Sequence, residues 1–229
     1  MVNREVLVIG ASSGLGAALA ILHRRAGDNV TAVARRAHRL QQLAQLSQSP
    51  GAGQWVSDPL NLLDLRAVDE LASRHSPKLV YLAAATGDST DPSALMALNF
   101  HRMVELADRF AREGTTIVAI SSLAAVVAFP GLAWYCASKS ALEQWIACNR
   151  TSYRSRLVVI RPGRFTSEFF GRRSQLSLND LPWRTAAQVI ASVKNRRAIT
   201  TLGGWRDILA ANLAPLLGSP IIRRLVLDA

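Results

Sequence analysis

The chain has 229 residues, 49% of them hydrophobic and 19% charged, so it can bury a sizeable core and is not disordered by composition. The formal charge is +11, but the basic residues are dispersed singly and in short arginine pairs. With no nucleic-acid motif, the charge points to solubility and a phosphate-bearing ligand, not to a nucleic-acid partner. Two cysteines twelve residues apart on one expected helix (Cys136 and Cys148), no metal-ligand spacing, no signal-peptide pattern and no apolar run of 18 residues argue against a disulfide framework, a metal site, secretion and a membrane span, and favour a reducing cytoplasm.

Apolar runs alternate with segments of helical period along most of the chain. Glu5–Ile9 reads as a strand, Ser13–Arg25 as a helix, Val30–Ala34 as a strand and His38–Leu46 as a helix. Gln54–Val56 is a weak third strand, followed by a helix over Leu65–Arg74, a strand over Lys78–Ala83 and a long helix over Ser93–Arg112. Thr115–Ile120, Tyr135–Ser152 and Leu157–Ile160 continue as strand, helix and strand. Beyond Pro162-Gly163 the pattern loosens into a loop over about 164–184. A helix over Trp183–Arg197 and a last strand over Ala198–Leu202 follow. Continuous apolar strands separated by helices predict an α/β fold: one doubly wound, Rossmann-type domain whose parallel sheet is covered on both faces. No repeat or linker divides it.

The first strand runs straight into Gly10-Ala11-Ser12-Ser13-Gly14-Leu15-Gly16 and then a helix. Glycines let the backbone approach a pyrophosphate closely, and the helix N-terminus offers free N–H groups to anionic oxygens. The second strand ends at Ala34 and is followed by Arg35-Arg36. A site built for a ribose 2′-hydroxyl places an acid there, whereas a guanidinium grips a 2′-phosphate. The pair therefore favours NADP(H), the alternative being that both arginines merely open a solvated helix. Asp58, after the third strand, is either an acceptor for the adenine amino group or a turn residue before Pro59.

Tyr135 and Lys139 stand four apart at the start of a helix and so share a face. An ammonium close to a phenol favours the phenolate, which would bring an ordinary tyrosine pKa of about 10 toward neutrality and make an acid/base of it. Ser122 lies thirteen residues upstream, just past the fifth strand, at the carboxyl end of the sheet where ligands bind in such folds. Asn99 is an amide inside an otherwise apolar helix and needs a partner. Cys136 beside Tyr135 is read as a small spacer, since no histidine partner is indicated.

Together these residues resemble the short-chain dehydrogenase/reductase family. The matching pieces are Gly10, Gly14, Gly16, Asp58, Asn99, Ser122, Tyr135, Lys139 and Arg161-Pro162-Gly163 with Thr166, in the family's order and spacing from about Glu5 to Thr166. The resemblance implies that Tyr135 moves a proton to or from the substrate oxygen. Ser122 would hydrogen-bond that oxygen, Lys139 would tune the phenol and bind the nicotinamide ribose, and Asn99 would support a water leading to Lys139. It further implies cofactor contacts at Gly10, Ser12, Ser13, Gly14, Leu15, Gly16, Arg35, Arg36, Asp58, Ala84, Pro162, Gly163 and Thr166. The expected activity is hydride transfer between NADP(H) and a carbonyl or alcohol, with a non-catalytic NADP-binding regulator or an epimerase/dehydratase-type relative as alternatives.

The chain departs from the family pattern in having Ile9 where threonine is frequent, and Leu82-Ala83-Ala84-Ala85 where two asparagines, an alanine and a glycine are usual. The loop over about 164–184 is expected to be a substrate lid. The apolar tail from Trp205 to the end is expected to serve an oligomer contact or the pocket before any membrane surface, with Pro215 and Pro220 breaking a continuous helix. A homo-oligomer is an implication of the resemblance alone.

Overall fold

A computed structural model describes residues 3–163, 178–195 and 198–217. Strands β1 (Glu5–Ile9), β2 (Asn29–Ala34), β3 (Trp55–Pro59), β4 (Leu79–Leu82), β5 (Thr116–Ile120), β6 (Arg156–Arg161) and β7 (Ile199–Thr201) form one parallel sheet in the order β3-β2-β1-β4-β5-β6-β7. The α-helices are α1 (Gly14–Arg25), α2 (Ala37–Leu46), α3 (Leu65–Arg74), α4 (Pro92–Met96), α5 (Arg102–Phe110), α6 (Ala133–Asn149), α7 (Trp183–Lys194) and α8 (Trp205–Leu217), with a π-helical turn over Ala97–His101 joining α4 to α5 and short 3-10 turns at Leu123–Ala125 and Leu178–Asp180.

Strand alternation explains why the helices divide into two layers. In β1, Val6 and Val8 face a core completed by α1, α2 and α7, while Leu7 and Ile9 face one completed by α3, α5 and α6. Each fully buried branched side chain contributes roughly 1.5–3 kcal/mol. Tyr81 on β4 is the polar exception in the first layer. Its hydroxyl lies 2.9 Å from Nε2 of buried His23, whose Nδ1 is 2.6 Å from Asp28 Oδ2, so the phenol is satisfied without water.

The strand order reverses between β1 and β4, and a crevice opens there at the carboxyl ends of the strands. The doubly wound architecture therefore agrees with the sequence reading, and four local features differ from it. The third strand extends to Pro59 and takes in Asp58, because proline is tolerated on a sheet edge. The expected long helix over residues 93–112 is interrupted by the π-helical turn centred on Asn99. In α8 the helix carries Pro215 within its last turn rather than stopping before it, while Pro220 lies outside the described residues. Most of the expected lid loop, 164–177, also lies outside them. No helix among the described residues is long and apolar enough to cross a membrane.

Candidate active site

The crevice is a cleft of about 1110 Å³ that runs from the glycine turn and Arg36 to Ser122, Tyr135 and Lys139. At its first end, β1 and β2 bring Gly10 and Ala11 together so that both backbone N–H groups donate to Val33 O. Gly10 has φ +90°, and a Cβ there would stand 2.6 Å from Ala84 N; a Cβ on Gly16 would stand 2.3 Å from Gly10 O. Any side chain at either position would force the turn apart. The Ser13 side chain makes no capping hydrogen bond to the backbone of α1, and no acid stands in the first turn, which leaves the helix N-terminus open to an anion. Ser12, Leu15 and Gly16 join Gly10 and Gly14 in lining this end.

Arg36, at the start of α2, donates from Nη2 to Ser12 Oγ (2.9 Å) and Ser13 Oγ (2.8 Å), which ties it to the glycine turn. Arg35 is exposed at the rim, and His38 and Arg39 line the cleft beside them. Among the described residues, no carboxylate lines the cleft at the end of β2. These residues fit a dinucleotide bearing a further phosphate. The turn admits a pyrophosphate, α1 directs its dipole at it, and Arg36 can make paired hydrogen bonds.

Asp58 is not among the residues that line the cleft. Its carboxylate accepts two hydrogen bonds from Arg74 Nη2, at 3.0 and 2.9 Å, and lies 3.1 Å from His75 Nε2. The end of α3 therefore engages the group read from the sequence as either an adenine acceptor or a turn residue, and Leu60, Asn61 and Leu62 line the cleft after it. Pro162 and Gly163 line the far end of the cleft, and Thr166 lies outside the described residues.

Tyr135 and Lys139 occupy successive turns of α6, both buried, with Lys139 Nζ 5.8 Å from the Tyr135 ring centre. Ser122 follows β5 in an extended conformation, accepts a hydrogen bond from Ala124 N at 3.1 Å, and hydrogen-bonds the Tyr135 hydroxyl. Burial pushes the Tyr135 phenol up to about 12, against a lowering by Ser122. The expected lowering by the neighbouring ammonium is thus overturned in this arrangement. Lys139 points its Nζ at Ile120 O, 3.0 Å away, and desolvation of the phenol sets the direction of its shift. Burial also brings Lys139 down to about 8, with Glu143 opposing the shift.

Asn99, fully buried in the π-helical turn, accepts from Thr86 N (2.8 Å) and donates to Thr86 O (2.9 Å) and to Ser138 Oγ (3.2 Å). Ser138 in turn donates to Tyr135 O. Asn99 thereby links the loop after β4 to the helix of Tyr135 and Lys139. A local excess turn of this kind is frequent at functional sites. Sequence reasoning also missed Thr86, which lines the cleft, and a buried pair formed by Glu143 and Arg161. A second hollow of about 390 Å³, lined by Arg4, Lys78, Arg154, Arg156 and Lys194 among others, opens elsewhere, at the amino ends of β1, β4, β5 and β6 and the end of α7. It shares no residue with this set.

A family model described as short chain dehydrogenase matches residues 4–176, and the chain belongs to that family of oxidoreductases. It is 28% identical over 181 residues to the 11-beta-hydroxysteroid dehydrogenase-like 3 protein of Arabidopsis thaliana, an alignment covering 70% of this chain and 59% of the relative. The chain spans only about three-fifths of the curated relatives it matches. Among solved structures, a short-chain dehydrogenase from Sphingobium yanoikuyae in complex with NADPH superposes with a TM-score of 0.77 at 20% identity, covering 86% of this chain and 87% of that one. A short-chain dehydrogenase/reductase from Burkholderia phymatum in complex with NAD gives 0.80 at 14% identity, covering 95% and 96%. These superpositions establish the shared fold, and across them the fold carries either nicotinamide cofactor.

Proposed function

We propose that the chain is an NADP(H)-dependent carbonyl reductase or alcohol dehydrogenase acting through Ser122, Tyr135 and Lys139. The carrying observation is that these three residues, from the segment after β5 and from α6, line the same cleft as Arg36 and the Gly10–Gly16 turn. Arg36, beside a strand end without an acid, supports the choice of NADP(H) over NAD(H). When bound, the nicotinamide supplies or accepts the hydride. Ser122 Oγ hydrogen-bonds the substrate oxygen as charge develops on it. Tyr135 donates its proton to that oxygen in reduction, or removes one from the alcohol in oxidation. An ammonium at Lys139 favours the phenolate that this transfer leaves, provided its Nζ turns from Ile120 O toward the phenol. Leu123, Ala124, Phe129 and Leu132 line the cleft near Tyr135, so an apolar carbonyl compound suits it better than a sugar.

The reading is tested by following NADPH oxidation with panels of ketones, aldehydes, quinones and 3-oxoacyl thioesters. Turnover of at least one carbonyl class, lost in Tyr135→Phe, is expected. NADPH binding without turnover of any carbonyl would favour a non-catalytic binder instead.

A further inference from the structure

The face of α6 that carries Tyr135 and Lys139 continues, one turn on, with Glu143. All three side chains are buried at spacings of four. A carboxylate on the core side of a helix is costly to bury unless it is paired and hydrogen-bonded. Glu143 has both kinds of support. Ser121 Oγ donates to Oε1 at 2.5 Å; Arg161 Nε donates to Oε1 and Oε2 at 2.9 and 3.0 Å, and Arg161 Nη2 to Oε2 at 2.5 Å. Both partners sit next to site residues in the chain. Ser121 immediately precedes Ser122, and Arg161 immediately precedes Pro162-Gly163, both of which line the cleft.

We propose that Glu143 is a positioning residue for the acid/base pair: through Ser121 and Arg161 it locks the helix of Tyr135 and Lys139 to the strand ends of Ser122 and Pro162-Gly163, and it sets a carboxylate charge one turn behind the Lys139 ammonium. This rests on the reading of Tyr135 and Lys139 as the reacting pair. Among the described residues, one carboxylate, that of Asp88 in the loop after β4, lines the same cleft as Lys139. From its own helix Lys139 has Tyr135 and Glu143. The end of β5 presents uncharged Ser121, Ser122 and the Ile120 carbonyl, and β6 presents the Arg161 cation. The π-helical turn presents uncharged Asn99, and Arg102 beyond it pairs with Glu105 of its own helix. Glu143 is the group whose charge opposes the deprotonation of Lys139 that burial favours.

The chain has three lysines (Lys78, Lys139 and Lys194), so ¹³C-lysine NMR can follow Lys139 by itself, in the cofactor-free protein and without any substrate. Its resonance is assigned with Lys139→Met. In the parent it should titrate near 8. In Glu143→Gln it should titrate about one pH unit lower, as for loss of one nearby opposite charge. If a charged Lys139 is needed for turnover, the rate of Glu143→Gln on the best ketone from the carbonyl panel should be close to the parent's at pH 6. At pH 8 it should be about fivefold lower, because the ammonium fraction there falls from about a half to about a tenth.

Arg161→Gln breaks the same buried pair but keeps the carboxylate. A purely structural role would make the two variants alike, whereas the proposal has Arg161→Gln leave the Lys139 titration at or above the parent's. Glu143→Met, apolar and of similar length, repeats the charge removal if the glutamine variant does not fold. An unmoved Lys139 resonance in a folded Glu143 variant would overturn the proposal. A shifted resonance in a protein that turns over no carbonyl would instead uphold the placement of the charge and overturn the reaction.

Discussion

Asn99 clasps Thr86 by both of its backbone groups, accepting from its N–H at 2.8 Å and donating to its carbonyl at 2.9 Å. The chain has Leu82 and Ala83 where the family usually has two asparagines, and the clasp on the loop after β4 comes from the facing π-helical turn. Asn99→Ala would leave two backbone groups of a half-buried loop without their partner. We expect it to lose about 2 kcal/mol of stability in urea unfolding, the range for unpaired buried polar groups. NADPH binding should weaken with it, because Ala84 abuts Gly10 in the cleft. A variant as stable as the parent would show that the clasp contributes nothing.

Arg36 and Arg35 are adjacent in sequence but differently placed. Arg36 is half-buried and bonded to Ser12 and Ser13, while Arg35 is exposed. If the 2′-phosphate is held here, Arg36→Ala should weaken NADPH by about 1.5–3 kcal/mol, the value of a hydrogen bond to a charged group, and barely change NADH. Arg35→Ala should have the smaller effect. Nicotinamide fluorescence titrations measure both, and equal affinity of the parent for NADPH and NADH would remove the basis for the preference.

Much of this site was legible because its parts sit on regular elements. The spacing of Tyr135 and Lys139 is a helical turn, Ser122 closes an apolar strand, and the glycine turn joins a strand to a helix. What escaped depended on pairings across elements. Glu143 meets Arg161 only through the packing of α6 against β6. Asp58 meets Arg74 and His75 only because α3 ends beside β3. The π-helical turn has no residue pattern of its own, and a polar Asn99 among apolar neighbours was its one trace. The phenol shift was misjudged because spacing reports proximity, whereas burial of both groups decides the sign.

Lys139 is a stability cost that the fold carries. Burial lowers it to about 8, whereas an unfolded lysine titrates at about 10.4. Below pH 8 both states hold the proton, and the folded state bears the whole desolvation penalty. Between the two values only the unfolded state keeps it, so the penalty fades as pH rises and is gone above about 10.5. Lys139→Met should therefore raise unfolding stability by on the order of 2 kcal/mol at pH 7, with the gain shrinking toward pH 10, while abolishing turnover. A destabilised Met variant at pH 7 would mean that the hydrogen bond to Ile120 O outweighs the buried charge.

Tyr135→Phe keeps the ring and removes the one proton placed beside Ser122. With burial holding the phenol above its ordinary value, Tyr135 is protonated at neutral pH and can donate to a carbonyl oxygen. Carbonyl reduction should therefore fall by roughly 10²-fold or more, in line with the loss of a positioned acid. NADPH affinity should stay near the parent's, because the phenol is not what holds the phosphates. Ser122→Ala should lower turnover with little effect on cofactor affinity, since it removes a donor to the developing oxyanion and a partner of the phenol. The pattern is the test: Tyr135→Phe and Ser122→Ala should act on turnover alone, Arg36→Ala on cofactor affinity alone, and Lys139→Ala on both. Full turnover by Tyr135→Phe, on a substrate the parent accepts, would overturn the mechanism while leaving the fold and the cofactor cleft as they stand.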